Sequence, residues 1–260
     1  MNQRAFAVAA HPDDIEFMMA GTLIQLKQAG YEIHVMTVGN GSCGSEQHDA
    51  ATIARIRRQE CIDAAGQIGA VYHESLCPDL EIFYNRELLQ RLASVMREVA
   101  PTILLTHPPQ DYMEDHMNTC RLALTAAFAR GMPNYPVVPS RPPIDTPVTV
   151  YHALPYSLRD PLNRQVYPEL YVDISTVIGE KRRMLAQHRS QKDWLDASQG
   201  IDSYLSHMAT MSQEVGRMSG HFEFAEGWIR HLPFGYCAED ANPLVETLAG
   251  LTWQQTQAAH

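Results

Sequence analysis

Two short segments of this 260-residue chain contain side chains of the types that bind metal ions. His11 and Asp14 lie three residues apart in the first segment, and His116 lies in the second, far along the chain. Imidazole and carboxylate groups are good ligands for Zn²⁺, and three protein ligands leave one coordination position for water. The pattern therefore predicts a catalytic site for zinc or another divalent transition metal.

Asp13 lies between the two ligands of the first segment and is predicted to remain free of the metal. A free carboxylate beside a metal-activated water is suitably placed to act as a general base. Alternatively, Asp13 or Asp14 caps a following helix, because acidic residues are common at helix N-termini. The residue types alone leave both interpretations open.

Hydrophobic periodicity places both segments at the ends of predicted strands. The spacing of apolar residues predicts strands over 4–10, 31–38, 70–76, 102–106 and 148–153, and helices over 14–28, 52–68, 86–99, 119–129 and 177–187. Such alternation is typical of an α/β, Rossmann-like fold, with a mostly parallel sheet and helices on both faces. Ligands collect at the carboxyl ends of the strands in such sheets, which is where both segments lie.

Length and composition limit the possible domain organisation, binding partners and location of the protein. We predict that residues 1–260 form a single domain, in which the proline-rich stretch 133–147 is a long surface loop. A formal charge of −10 disfavours general nucleic-acid binding and attraction to anionic membranes. No apolar segment approaches the roughly 20 residues that span a bilayer. Five scattered cysteines without a Cys-x-x-Cys motif predict reduced thiols in a cytoplasmic protein.

The glycine-rich segment 39–44 matches the dinucleotide-binding pattern Gly-x-Gly-x-x-Gly. That fingerprint belongs after the first strand of the fold and opens directly into a helix. Here it follows the second predicted strand, and the acidic residues at the expected distance lie inside a helical pattern. We therefore predict a loop that borders the site and no nicotinamide cofactor.

The segment Ala-His-Pro-Asp-Asp at 10–14, followed by Glu16 and Gly-Thr-Leu at 21–23, resembles the PIG-L (LmbE-like) family of zinc-dependent N-acetyl-sugar deacetylases. Further matches at 57–60, 115–116 and 181–191 extend the resemblance over about residues 4–191. It implies that His11, Asp14 and His116 bind zinc and that Asp13 is the base. It also implies a small N-acyl amino sugar as substrate and a homo-oligomer, a trimer or hexamer.

Three further residues are expected to lie near the site and to have roles there. Arg57 matches a position that contacts the sugar in some members, with a solvated helix charge as the alternative. His188 matches a position close to the site, with a cap on the preceding helix as the alternative. Asp115 is expected to orient a metal ligand or a substrate hydroxyl and not to bind the metal.

The sequence departs from the family pattern at Met113. Several members have His-Pro-Asp-His where residues 113–116 read Met-Glu-Asp-His, and the missing imidazole is thought to stabilise the oxyanion or to help proton transfer. The candidates to replace this imidazole are His107, Asp111, Tyr112 and His188. Alternatively, Asp13 serves as both base and acid.

The predicted function is therefore zinc-dependent hydrolysis of an N-acyl group, with acetyl the expected acyl group, on a small amino sugar or its glycoside. One alternative is a metal amidase that acts on another acylated amine. The other is a metal- or sugar-binding relative without turnover, which the substitution at Met113 permits.

Overall fold

One eight-stranded sheet organises the chain in a computed structural model, which describes residues 3–191 and 203–254. The strands are β1 (Arg4–Ala9), β2 (Glu32–Thr37), β3 (Val71–His73), β4 (Ile103–Thr106), β5 (Thr149–Ala153), β6 (Leu170–Asp173), β7 (Ala225–Arg230) and β8 (Thr252–Gln254). Their spatial order is β3-β2-β1-β4-β5-β7-β6-β8. The first five in this order are parallel, whereas β7 is antiparallel to both neighbours and β8 is antiparallel to β6. The mostly parallel sheet is confirmed.

Helices cover both faces of this sheet, as predicted. They are α1 (Asp14–Met18), α2 (Ala20–Gln28), α3 (Ala50–Gly66), α4 (Arg86–Val99), α5 (Glu114–Phe128), α6 (Ile178–Leu185), α7 (Ser203–Ser219) and α8 (Pro243–Thr247). Successive side chains of a strand point to opposite faces, so β1 contributes to two apolar cores. Ala5 and Ala7 lie in one core, with residues of α1 and α2, and Phe6 and Val8 lie in the other, with residues of α4 and α5.

Two predicted helices differ from the observed ones near the site. The predicted helix 14–28 is divided at Met19, whose φ of −130° is not helical. The helix predicted over 119–129 begins at Glu114, so that Asp115 and His116 lie in its first turn. Both of these side chains are buried but polar. Apolar periodicity cannot register such residues, which is why the prediction began too late.

The strand order reverses direction between β1 and β4. From β1 the chain moves to β2 and β3 on one side, and β4 and β5 then lie on the other side. Open α/β sheets bind ligands at such a switch point, outside the carboxyl ends of the strands. The segments after β1 and β4 hold the predicted metal ligands, so the topology brings them to one place.

The proline-rich stretch 133–147 contains no helix or strand and connects the end of α5 to β5. Arg97 on α4 donates hydrogen bonds to the carbonyl oxygens of Tyr135 and Arg141 at 3.1 and 2.9 Å. These bonds fasten the loop to the helical layer on that face. Across the described ranges, every helix is too short or too polar to cross a membrane.

Candidate metal site and active site

The structure brings His11, Asp14 and His116 together at the carboxyl ends of β1 and β4. Asp14 Oδ2 lies 3.7 Å from His11 Nδ1 and 3.5 Å from His116 Nε2. One ligand atom of each residue lies within 4.8 Å of those of the other two. Tetrahedral zinc ligands at about 2.0–2.1 Å from the metal are about 3.3–3.4 Å apart. Both distances from Asp14 are slightly longer than this, so a small adjustment would let the three side chains bind an ion of this size.

The second nitrogen of each imidazole contacts a carboxylate. His11 Nε2 lies 2.9 Å from Asp115 Oδ2, and His116 Nδ1 lies 3.0 Å from Asp111 Oδ1. Metal-binding histidines characteristically donate their other ring N–H to a carboxylate, which fixes the tautomer and the ring orientation. The free nitrogens of His11 and His116 are thereby directed toward Asp14.

Carboxylates make this group of side chains a favourable place for positive charge. Burial disfavours a charged imidazole, but Asp115 and Asp14 outweigh it and raise the pKa of His11 to about 10. The pKa of His116 is likewise raised, against burial, by Asp14 and Asp111. Burial would raise the pKa of Asp14, yet the neighbouring imidazoles hold it well below its usual range. The donor set is suited to a divalent cation, which would replace the protons on these nitrogens.

Asp13 has a left-handed backbone, with φ of 93°, at the N-terminus of α1. Residues other than glycine rarely adopt this region, although Asp and Asn tolerate it best. Its side chain makes no capping hydrogen bond to α1, so the capping interpretation is wrong for Asp13. The carboxylate instead lines a pocket beside the three candidate ligands. Burial and the charge of Asp14 raise its pKa, whereas Arg57 opposes the rise.

Arg57 on α3 is only 4% exposed, so the alternative of a solvated helix charge is wrong. Its Nη2 donates to the carbonyl oxygen of Pro12 at 2.6 Å and to Asp13 Oδ2 at 3.2 Å. The glycine-rich loop packs against the same guanidinium: a Cβ on Gly44 would lie 2.5 Å from Arg57 Nη1. This loop borders the site, as predicted.

Asp79, on the segment after β3, was not among the predicted site residues. Its carboxylate accepts hydrogen bonds from the N–H groups of Gly41 at 2.7 Å and Cys43 at 3.0 Å, and it also lines the pocket. Asp79 therefore fixes the glycine-rich loop at the edge of the site. The sequence signal for Asp79 was a carboxylate that follows a third strand at the same sheet edge. That strand, β3, is only three residues long and partly exposed, so the signal was weak.

His188 lies behind the pocket and does not line it. Its side chain is fully buried, and its Nε2 is 3.1 Å from Glu16 Oε2. Burial lowers its pKa, but Glu16 and Asp13 outweigh burial and raise it. The ring is directed toward α1 and not toward the end of α6, which ends at Leu185. The helix-cap alternative is therefore not what the structure shows.

The pocket has a volume of about 350 Å³, within the range of small-molecule sites. Met113 lines it, and its thioether cannot donate a proton. Of the proposed substitutes, Tyr112 lines the pocket, whereas His107 and Asp111 do not. His107 is fully buried behind it, where its Nε2 accepts the N–H of Ala10 at 2.9 Å.

The sequence is similar to one family model and to known proteins. The family model for PIG-L, described as GlcNAc-PI de-N-acetylase, matches residues 6–127. Diacetylchitobiose deacetylase from Thermococcus kodakarensis is 27% identical over 240 residues, which cover 89% of this chain and 84% of the relative. The 4-oxalmesaconate hydratase of Pseudomonas putida is 28% identical over 188 residues, covering 68% and 69%.

The fold is also found in a solved structure of N,N'-diacetylchitobiose deacetylase from Pyrococcus horikoshii. The two superpose with a TM-score of 0.75 at 22% identity, over 93% of this chain and 88% of that one. The likeness confirms the predicted α/β fold. The names of the two relatives given above denote different reactions, so the chemistry of this chain must be argued from its own site.

Proposed function

We propose that this chain, whose residues 6–127 match the PIG-L family model, is a metal-dependent hydrolase that removes the N-acetyl group of a small amino sugar or its glycoside. The observation that carries the proposal is the convergence of His11, Asp14 and His116. The carboxylate of Asp13, which is not one of these candidate ligands, lies beside them. The similarity to a protein named diacetylchitobiose deacetylase supports the substrate class.

His11, Asp14 and His116 would hold the metal, and Zn²⁺ is the ion that we expect. Two imidazoles and one carboxylate are a donor set that zinc uses in catalytic sites, with one position left open. When bound, such an ion polarises the amide carbonyl and lowers the pKa of a water molecule. Asp115 and Asp111 hold the imidazoles in the required orientation, from 2.9 and 3.0 Å.

Asp13 is the group that moves protons in this proposal. It takes a proton from the attacking water and returns it to the amide nitrogen as the C–N bond breaks, so that the products are acetate and a free amine. A pKa raised by burial suits a carboxylate to accept and then donate a proton. Arg57 holds this carboxylate at the pocket from 3.2 Å.

The sugar is expected to contact Arg57, which lines the pocket as well as binding Asp13. His188 would act indirectly, through its contact with Glu16 on α1. A cytoplasmic location is consistent with five free cysteines. A trimeric or hexameric state stays a prediction, which the mass measured by light scattering during size-exclusion chromatography would test.

Water addition is the second candidate reaction, because of the 28% identity to 4-oxalmesaconate hydratase. The substrate in that name is an acid, so its anion requires positive charge in the pocket. Among the described lining residues Arg57 is the one Lys or Arg side chain, and it is paired with Asp13. Asp13, Asp14 and Asp79 supply negative charge there. Apart from the metal-binding group, the described lining therefore has no unpaired cationic side chain for a further carboxylate, which favours a neutral amide over a polyanion.

The test is a substrate screen on metal-loaded protein, in which free amine and acetate are followed with N-acetylglucosamine and diacetylchitobiose. We expect release of both products, its loss with a chelator, and loss of bound metal in His116→Ala. Release only from acylated amines other than sugars would identify an amidase, and hydration of oxalmesaconate alone would identify a hydratase. Bound metal without any product would identify a binding protein.

A further inference from the structure

Leu80 combines two properties that are unfavourable in a folded protein. It has a left-handed backbone, with φ of 62°, which disfavours any residue with a β-carbon and especially one that is not Asn or Asp. Its side chain is also 61% exposed, so it gains little from the apolar cores. Glycine or asparagine would adopt this backbone more easily. Packing within the chain therefore does not explain a leucine at this position.

The residues around Leu80 hold its backbone in this conformation. Its N–H donates to Asp115 Oδ2 at 2.7 Å, the same oxygen that contacts His11. On its other side, the carboxylate of Asp79 binds the N–H groups of Gly41 and Cys43. Strained residues persist where their surroundings fix them, and they cluster at functional sites. This one lines the candidate active-site pocket.

Two more apolar side chains line the pocket close to the metal-binding group. Tyr112 is 62% exposed, and its ring lies edge-on to that of His116, with centroids 5.5 Å apart. Met113 adjoins it, and its N–H donates to Asp111, which in turn contacts His116. Like Leu80, Met113 therefore contacts a carboxylate that orients a candidate metal-binding histidine.

We propose that Leu80, Tyr112 and Met113 form an apolar subsite for the acyl chain of the substrate, so that the enzyme accepts N-acyl groups longer than acetyl. The inference rests on the proposed function. The carbonyl carbon must lie near the metal-binding group, and its two substituents are the acyl chain and the amino sugar. The sugar carries hydroxyls, for which Arg57 and Gln191 offer polar atoms in the pocket. The acyl chain is the part that apolar walls stabilise.

The experiment compares kcat/KM for N-acetyl-, N-propionyl- and N-butyrylglucosamine in the metal-loaded wild type and in Leu80→Asn. Each buried methylene contributes about threefold to fourfold in binding. The wild type is expected to hydrolyse the butyryl substrate at least as well as the acetyl one. In Leu80→Asn, the ratio of butyryl to acetyl should fall about tenfold. Thermal stability should not fall, since Asn tolerates the left-handed backbone, and Leu80→Gly should behave in the same way.

Leu162→Asn is the matched control, because Leu162 is 71% exposed but does not line the pocket. Its acyl preference should equal that of the wild type. A strong wild-type preference for acetyl, or an unchanged ratio in Leu80→Asn, would overturn the inference while leaving the proposed function intact. Alkyl glycosides of N-acetylglucosamine are assayed in parallel, and a change confined to them would assign the subsite to the aglycone and also overturn the inference. Absence of amine from every substrate would refute the proposed function itself.

Discussion

Replacing Asp13 by Asn separates proton transfer from metal binding. The amide has the same shape but cannot accept the proton, and general acid–base groups contribute typically 10²–10⁴-fold to rate. This range corresponds to about 3–5 kcal/mol in the activation free energy. Asn is the right replacement because φ at this position is 93°, where Ala would add about 1–2 kcal/mol of backbone strain. The metal should be retained, since Asp13 is not among the three candidate ligands.

The assay is kcat/KM for amine release, measured beside metal content and the thermal midpoint. Asp63→Asn provides an acid-to-amide control on the exposed surface of α3. A fall in the thermal midpoint is also expected, because the buried Arg57 loses its charged partner at 3.2 Å. If Asp13→Asn kept its activity within tenfold, the assignment of the base would be wrong. If it lost the metal, Asp13 would be a ligand.

Three further changes test other parts of the structure. Asp115→Asn should weaken metal affinity about 10–100-fold, as measured with a competing chelator, because it disturbs the carboxylate that orients His11. Glu226→Gln leaves Lys181, a buried partner at 2.7 Å, with its charge unpaired, and should lower the free energy of unfolding in urea by about 3–5 kcal/mol. Burial and His34 lower the pKa of His73 from 6.5 to about 4, so the unfolded state binds more protons between these values. Stability should therefore fall as pH drops from 6.5 to 4, by about 2 kcal/mol after allowance for partial exposure. The fall should be smaller in His73→Asn in parallel urea titrations, and equal falls would contradict the assignment.

The amino-terminal half of the fold could be predicted because its elements carry clear apolar patterns. The strand over Arg4–Ala9 is a buried run followed at once by the predicted ligands, and the helix Arg86–Val99 was predicted with its observed bounds. The His11–Asp14 spacing was also informative, because two ligands in one strand-to-helix turn need no knowledge of the rest of the fold. Their meeting with His116 required only that two parallel strands end at the same sheet edge.

The remaining features depend on contacts that the sequence does not encode locally. Strands β6 and β8 are four and three residues long, which is too short for a periodic signal. The antiparallel position of β7 between β5 and β6 is set by pairing partners distant in the chain. Asp79 and Leu80 follow a weak strand, and only their contacts with the loop at 39–44 and with Asp115 place them at the site.

The structure also bears on the alternative of a binding protein without turnover, which Met113 leaves open. Holding an ion requires His11, Asp14 and His116, together with the carboxylates that orient the two imidazoles. It does not require Asp13 to adopt a left-handed backbone or its side chain to line the pocket. Residues with a β-carbon rarely adopt that conformation, although Asp tolerates it better than most, and neither a cap nor a candidate ligand contact accounts for it. The partner of its side chain is Arg57, at 3.2 Å, which lines the same pocket. The arrangement is explained if the carboxylate exchanges protons with a bound substrate, because then its position beside the metal-binding group is what the reaction needs. The position of the Asp13 carboxylate therefore favours an enzyme over a binding protein.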